Sequence, residues 1–178
     1  MLPIRTFGDP VLRMTARPVE KITDVHRRLV NDMIETMRDA PGVGLAGTQV
    51  GVLERIFVYE VEDDVGAIFN PVITSRSRDL TDEEEGCLSL PGLLYPVTRH
   101  IEVRVEGLDA NGQPVVKEGT ELLARVFQHE IDHLDGVLFV DRLADTLRKK
   151  AMRELTRQAL GLPELDSSSP ASSAEEVL

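Results

Sequence analysis

Over residues 24–39, Val25, Leu29, Val30, Met33, Ile34 and Met37 recur at helical spacing and form one apolar stripe. Thr23-Asp24 offers an N-terminal cap and Pro41-Gly42 a stop, so the pattern predicts an N-terminal helix. The period then changes. Residues 55–61 and 67–74 are rich in β-branched and aromatic side chains and predict strands. Residues 101–106 alternate apolar and polar, as a strand with one wet face does. Asp109-Ala110-Asn111-Gly112 turns the chain into a partner strand at residues 114–117. A second helix opens at Gly119-Thr120-Glu121, with Thr120 as its cap. Leu122, Leu123, Val126, Phe127 and Leu134 make most of its surface apolar, which predicts a central, buried position before Asp135-Gly136 ends it. A last helix is expected from residue 141 to about residue 159, closed by Gly161 and Pro163.

Strands gathered in the middle, with one helix before and two after, argue for an α+β fold rather than a repeating βαβ unit. The expected architecture has antiparallel or mixed strands packed around the central helix, an N-terminal helix and a C-terminal helix. Residues 1–163 suit a single domain. Residues 164–178 are serine-rich and acidic with little to bury, and predict a disordered tail. No internal repeat is visible.

Composition narrows the function classes. The 178 residues are 42% hydrophobic and 29% charged, ordinary for a soluble globular chain. Tryptophan is absent and aromatics make up 4%, so aliphatic packing must dominate the core. No apolar run approaches the roughly 20 residues that span a bilayer. The start, Met1-Leu2-Pro3-Ile4-Arg5, has no apolar signal region, so a cytoplasmic location and no membrane partner are expected. A net charge of −11 argues against broad nucleic-acid binding. A local exception lies at Arg148, Lys149, Lys150, Arg153 and Arg157, which with Glu154 give +4 (five bases minus one acid).

The chemistry concentrates in Gln128-His129-Glu130-Ile131-Asp132-His133. On a helix His129 and His133 stand one turn apart on one face, so both imidazoles can reach one metal ion, with Glu130 beside them to handle protons. A divalent ion lowers the pKa of bound water from about 16 to about 7, and a neighbouring carboxylate can take its proton. A chance pair on a solvated face is the plain alternative, yet two of the chain's four histidines sit here at ligand spacing.

A tetrahedral catalytic site needs a third protein ligand. Downstream of His133 there are only carboxylates, such as Asp135, Asp141 and Glu154. Upstream, the run Glu83-Glu84-Glu85-Gly86-Cys87-Leu88-Ser89-Leu90-Pro91-Gly92 holds the single cysteine, which precludes an internal disulfide and offers a soft thiolate. Gly86 would let backbone approach a metal or substrate closely. The acidic residues before it, Asp82 and Glu83 above all, are expected to be a solvated loop. A third segment, Gly42-Val43-Gly44-Leu45-Ala46-Gly47-Thr48-Gln49, lacks the Gly-Lys-Ser/Thr of a phosphate loop and the dinucleotide pattern. Its glycines suggest a tight backbone path, with the Gln49 amide turned into a site.

Together the segments at residues 42–49, 85–89 and 128–133 resemble peptide deformylase, a family that combines G-x-G-L-A-x-x-Q, E-G-C-L-S and Q-H-E-x-D-H in that order. The likeness spans roughly residues 3–160, including Gly8-Asp9-Pro10-Val11-Leu12, and leaves residues 1–163 as one deformylase-like catalytic domain. It implies a hydrolase that removes formyl from the N-terminal formyl-methionine of nascent polypeptides. Cys87, His129 and His133 would bind one divalent ion, Fe(II) natively, with Zn(II) or Ni(II) in isolated protein. Glu130 would be general base, and Gln49 with the Leu88 backbone N–H would form the oxyanion hole. Main chain at Val43, Gly44 and Leu45 would pair with extended substrate, with Gly86 close by. Leu122 and Val126 are the candidates for the methionine pocket wall, and Arg125 for its rim. The basic helix face would suit docking on ribosomal RNA, and a monomer is expected.

Two other readings stay open on sequence. One is a zinc endopeptidase with Glu154 as third ligand. The other is a silent binder of formylated or emerging chains, which has no use for Glu130.

Overall fold

The computed structural model describes residues 1–163 and Leu178. Helix α1 (Asp24–Asp39) fills the predicted span, and the Thr23 N–H donates to His26 Nδ1 (3.0 Å), which closes the helix entrance. Val30, Met33 and Met37 of its stripe are buried, whereas Val25 in the first turn is exposed.

The strands, in chain order, are β1 (Gly44–Ala46), β2 (Ile56–Val61), β3 (Asp64–Arg76), β4 (Leu80–Glu85), β5 (Tyr95–His100), β6 (Glu102–Leu108) and β7 (Pro114–Thr120). Five of them make an antiparallel sheet in the order β1-β2-β3-β6-β7, while β4 and β5 pair as a separate ribbon. Side chains alternate across β2: Phe57 and Tyr59 face one layer, Ile56 and Val58 the other. Helix α1 covers the second face through Met33 and Met37, and helix α2 (Glu121–Leu134) covers the first. On that face Phe127 packs against Phe57 and Tyr59 with ring centroids 5.8 and 5.1 Å apart.

Along β3 the register with β6 shifts between Phe69 and Val72, and Asn70 there takes a positive φ of 49°. Its side chain accepts from the Val19 N–H (2.7 Å) and donates to the Val19 carbonyl (2.9 Å), so the irregularity ties the N-terminal segment to the sheet. A third apolar cluster joins the ribbon, the loop after β4 and helix α3 (Asp145–Ala159) through Leu90, Tyr95, Val97, Phe139, Ala151 and Leu155.

The α+β expectation holds, with corrections to its parts. The acidic residues Asp82 and Glu83 are solvated, but they lie in strand β4, not in a loop: Asp82 pairs with Thr98 and Glu83 with Val97. Apolar alternation is weak there, so only backbone pairing reveals the strand. The last helix begins at Asp145, not at residue 141. Phe139–Arg142 forms a 3-10 turn in which the Asp141 carboxylate accepts from the Leu138 N–H (2.9 Å), and extended, buried Leu143 separates it from α3. Helix α2 starts after Thr120 and stops before Gly136, whose φ of 74° suits glycine, as the sequence predicts. The disordered tail expected at 164–178 falls outside the described residues except for Leu178. That side chain is 1% exposed, in the cluster between the sheet and α2, where burial of its apolar surface is favourable.

No helix among the described residues is long and apolar enough to cross a membrane. Phe127 is fully buried where β2 meets α2. Phe127→Ala is therefore expected to lower unfolding free energy by about 3–5 kcal/mol in urea titrations, because aromatic contacts are lost and a cavity is left.

Candidate metal centre

Helix α2 brings His129 and His133 together edge-on, with Nε2 atoms 3.1 Å apart. Cys87, in the loop that follows β4, places its Sγ 3.2 Å from His133 Nε2. One donor atom from each of the three residues lies within 4.8 Å of the others, and all three residues are buried. The donor chemistry fits a divalent cation. His129 Nδ1 faces a carboxylate oxygen of Glu85 (3.0 Å), which leaves the Nε2 lone pair for the centre. Burial and the neighbouring His129 hold His133 well below its usual pKa, in the neutral form that ligates. Burial pushes the Cys87 thiol up, so a thiolate there calls for a local positive counter-charge.

The sulfur is placed by an ion-pair network that sequence reading missed. At the end of β4, Glu85 accepts from Arg99 Nε (2.7 Å) and Nη2 (3.0 Å) of β5. Arg99 Nη1 donates to Asp132 Oδ2 of α2 (2.7 Å), and Arg142 grips the same carboxylate through Nε (2.5 Å) and Nη2 (2.6 Å). Burial would raise the Glu85 pKa, but the hydrogen bonds from His129 and Arg99 and the Arg99 charge outweigh it and hold the group at about 2. From sequence alone Glu85 is only the first residue of the 85–89 segment, and neither it nor Asp132 is given a role. The signal available is position: Glu85 directly precedes Gly86-Cys87, and Asp132 directly precedes His133.

Glu130 is wholly buried. Among the described residues neither of its carboxylate oxygens has a hydrogen-bond partner. Burial, then the Glu85 charge, pushes its pKa well up. Gly44 makes room for it: a Cβ at that position would lie 2.4 Å from Glu130 Oε1. The Gln49 amide is oriented at both ends. Its Oε1 accepts from the Ala46 N–H (2.8 Å), so its NH2 faces Ser89 Oγ (3.2 Å) and Cys87 Sγ (3.7 Å).

The Polypeptide deformylase family model matches residues 1–149. The chain belongs to the peptide deformylase family. A peptide deformylase of Acidothermus cellulolyticus is 54% identical over 153 residues, covering 86% of this chain and 84% of that relative. One from Pseudomonas aeruginosa is 43% identical over 166 residues, covering 89% and 99%. Among solved structures, peptide deformylase from Thermus thermophilus superposes with a TM-score of 0.83 at 48% identity, over 89% of this chain and 94% of that one. The Ehrlichia chaffeensis peptide deformylase in complex with actinonin gives 0.85 at 36% identity, over 89% and 97%. Family members remove the N-formyl group of nascent peptides with a metal, and this chain is a metallohydrolase of that family.

Other site residues expected from sequence fall as follows. Val43, Gly44, Leu45 and Gly86 are buried, Gly44 against Glu130 and Gly86 next to Cys87 in the chain, and Leu88 is partly buried. Val126 is buried in the sheet–α2 cluster, with Leu122 packed against it at a surface cavity shared with Val61 and Asp64. Arg125 is half-buried and donates to the Glu84 carbonyl (3.0 Å). Glu154, the alternative third ligand, accepts instead from the Tyr95 hydroxyl (3.0 Å) and is absent from the His129–His133 donor group.

Arg99→Met would leave buried Glu85 with His129 alone and Asp132 with Arg142 alone, and is expected to lower stability by about 3–5 kcal/mol. The depressed Glu85 pKa adds an acid limb. Its contribution is complete above the ordinary value of 4.5 and fades as pH falls towards about 2. Urea midpoints measured across that window should fall for the wild type, and the limb should flatten in Glu85→Gln.

Proposed function

We propose that Cys87, His129 and His133 hold one divalent ion, Fe(II) in the cell and Zn(II) or Ni(II) in isolated protein, and that Glu130 works beside it as the general base of deformylation. The convergence of three buried donors next to a buried, unpartnered carboxylate carries this reading. When bound, the ion supplies Lewis acidity and brings water at the site towards ionisation near neutral pH. Glu130 takes a proton from the attacking water at a carboxylate oxygen. It then delivers the proton to the leaving amine as the C–N bond of the formyl amide breaks. The water oxygen stays on the formyl carbon, and formate leaves.

The Gln49 side-chain amide and the Leu88 N–H donate to the formyl oxygen as negative charge grows there. Each such donor contributes about a hundred- to a thousandfold in rate. The fixed orientation of Gln49 supports this role, since its NH2 needs no reorganisation. Substrate backbone adds to β1, the edge strand of the sheet. The Val43 carbonyl accepts from the Glu60 N–H of β2 (2.9 Å), and by ladder alternation Gly44 turns its N–H and C=O to the free edge. Gly86 borders the same path. Val126 and Leu122 wall the methionine pocket, and Arg125 closes its rim with its head group on the Glu84 carbonyl.

The enzyme works as a cytoplasmic monomer on chains emerging from the ribosome. Arg148, Lys149, Lys150 and Arg153 are exposed along α3, as docking on ribosomal RNA requires, and Arg157 lies farther along the helix with its guanidinium on the Pro163 carbonyl.

Two measurements test the reading. Glu130→Gln, loaded with metal to the wild-type level, should lose formate release from formyl-Met-Ala-Ser by several orders of magnitude while its melting temperature is kept. Normal turnover in that protein would sink the mechanism. Reversing Lys149, Lys150 and Arg153 to glutamate should abolish salt-sensitive cosedimentation with ribosomes and leave tripeptide turnover intact. Binding that survives the reversal would leave α3 as a solvated face.

A further inference from the structure

A row of alternating charges runs from the protein surface to the imidazole of His129. Arg142 is 45% exposed at its side chain, at the end of the 3-10 turn that follows α2. Its Nε and Nη2 grip both oxygens of Asp132, at 2.5 and 2.6 Å. Asp132 Oδ2 is shared, since it also accepts from Arg99 Nη1 at 2.7 Å. Arg99 presents its remaining edge, Nε and Nη2, to Glu85, and Glu85 Oε2 meets His129 Nδ1. Arg99, Glu85 and Asp132 are buried, so two carboxylates share one buried guanidinium, and Arg142 supplies the charge that makes the row neutral.

We propose that Arg142 is a positioning residue for His129, acting through Asp132, Arg99 and Glu85 without touching substrate or the reacting atoms. The inference rests on His129 being a metal ligand, as proposed above. Arg99 has a fixed fork and two clients. With Arg142 in place, Asp132 is satisfied on both oxygens and asks only Nη1 of Arg99, which leaves Nε and Nη2 square on Glu85. Without Arg142, Asp132 is a buried carboxylate with a single partner, and its attraction draws Arg99 off Glu85. Glu85 then holds the His129 ring less firmly. Partners behind a ligating histidine set its orientation and basicity, and their loss typically weakens metal binding or activity by about ten- to a hundredfold. Arg142 stands at the far end of the row, so the lower end of that range is expected.

The test compares Arg142→Met with Arg38→Met in zinc-loaded enzyme. Arg38 is a matched control: it grips Glu60 through the same two nitrogens, at 2.6 and 2.9 Å, with its side chain 54% exposed, and it has no link to Asp132. Two quantities are read, the rate of zinc loss to a chelator and the proton NMR resonance of His129 Nδ1–H. Arg142→Met should release zinc about tenfold faster and move the resonance, while Arg38→Met changes neither. Arg142→Gln, which keeps a donor, gives the same comparison should Arg142→Met yield no folded protein. Wild-type zinc release by the Arg142 variant overturns the inference, as does faster release with an unmoved resonance, or a control that behaves like the variant. Failure of the ligand assignment would look different, as a wild type that takes up no stoichiometric zinc.

Discussion

The carboxylate of Glu85 is the point on which the arrangement of the site depends. It lies where three elements meet: the end of β4, the end of β5 and the inner face of α2. A buried carboxylate without partners would be expensive, and the Arg99 fork with the His129 N–H offsets that expense only when all three pieces are docked. The same contact fixes two metal-site residues together. His129 has its ring turned by Glu85, and Cys87 stands two residues beyond Glu85 in the chain. A burial that would be a liability elsewhere thus specifies one geometry here, a role that polar groups in cores can fill.

Much of this is legible in the sequence, and the reasons differ by element. Helices α1 and α2 follow from apolar period, caps and the Gly136 stop, all local signals. The donors Cys87, His129 and His133 carry rare chemistry and stand in ordered motifs, so the structure finds them together where the motifs placed them. What stays hidden is long-range. Strand β4 has exposed acids where alternation would be expected, and its evidence lies in its partners on β5. The roles of Arg99, Asp132 and Arg142 depend on three elements crossing, which no spacing within one segment records. The start of α3 is missed for a similar reason, since Asp141 caps a short turn where composition reads as helix.

Gly44 joins the sheet to the chemistry. As part of β1 it offers backbone at the open edge, and its missing side chain lets the Glu130 carboxylate lie against that backbone. In the proposed mechanism, substrate recognition by strand addition and proton transfer fall on the two sides of this one residue. Any side chain there would separate them, whatever its polarity.

The centre is also unequal in how its donors are anchored. Both imidazoles ride on a single helix buried against the main sheet, whereas the sulfur hangs from a two-stranded ribbon whose β4 is largely open to solvent. Parting the ribbon from α2 would break the Arg99–Asp132 and Glu85–His129 contacts while leaving the pairing of the five-stranded sheet untouched. Such an excursion would leave two ligands preset and one absent. The centre is built as a clasp with one jaw on the sheet-backed helix and the other on the ribbon, and the contacts between ribbon and helix set how its three donors meet.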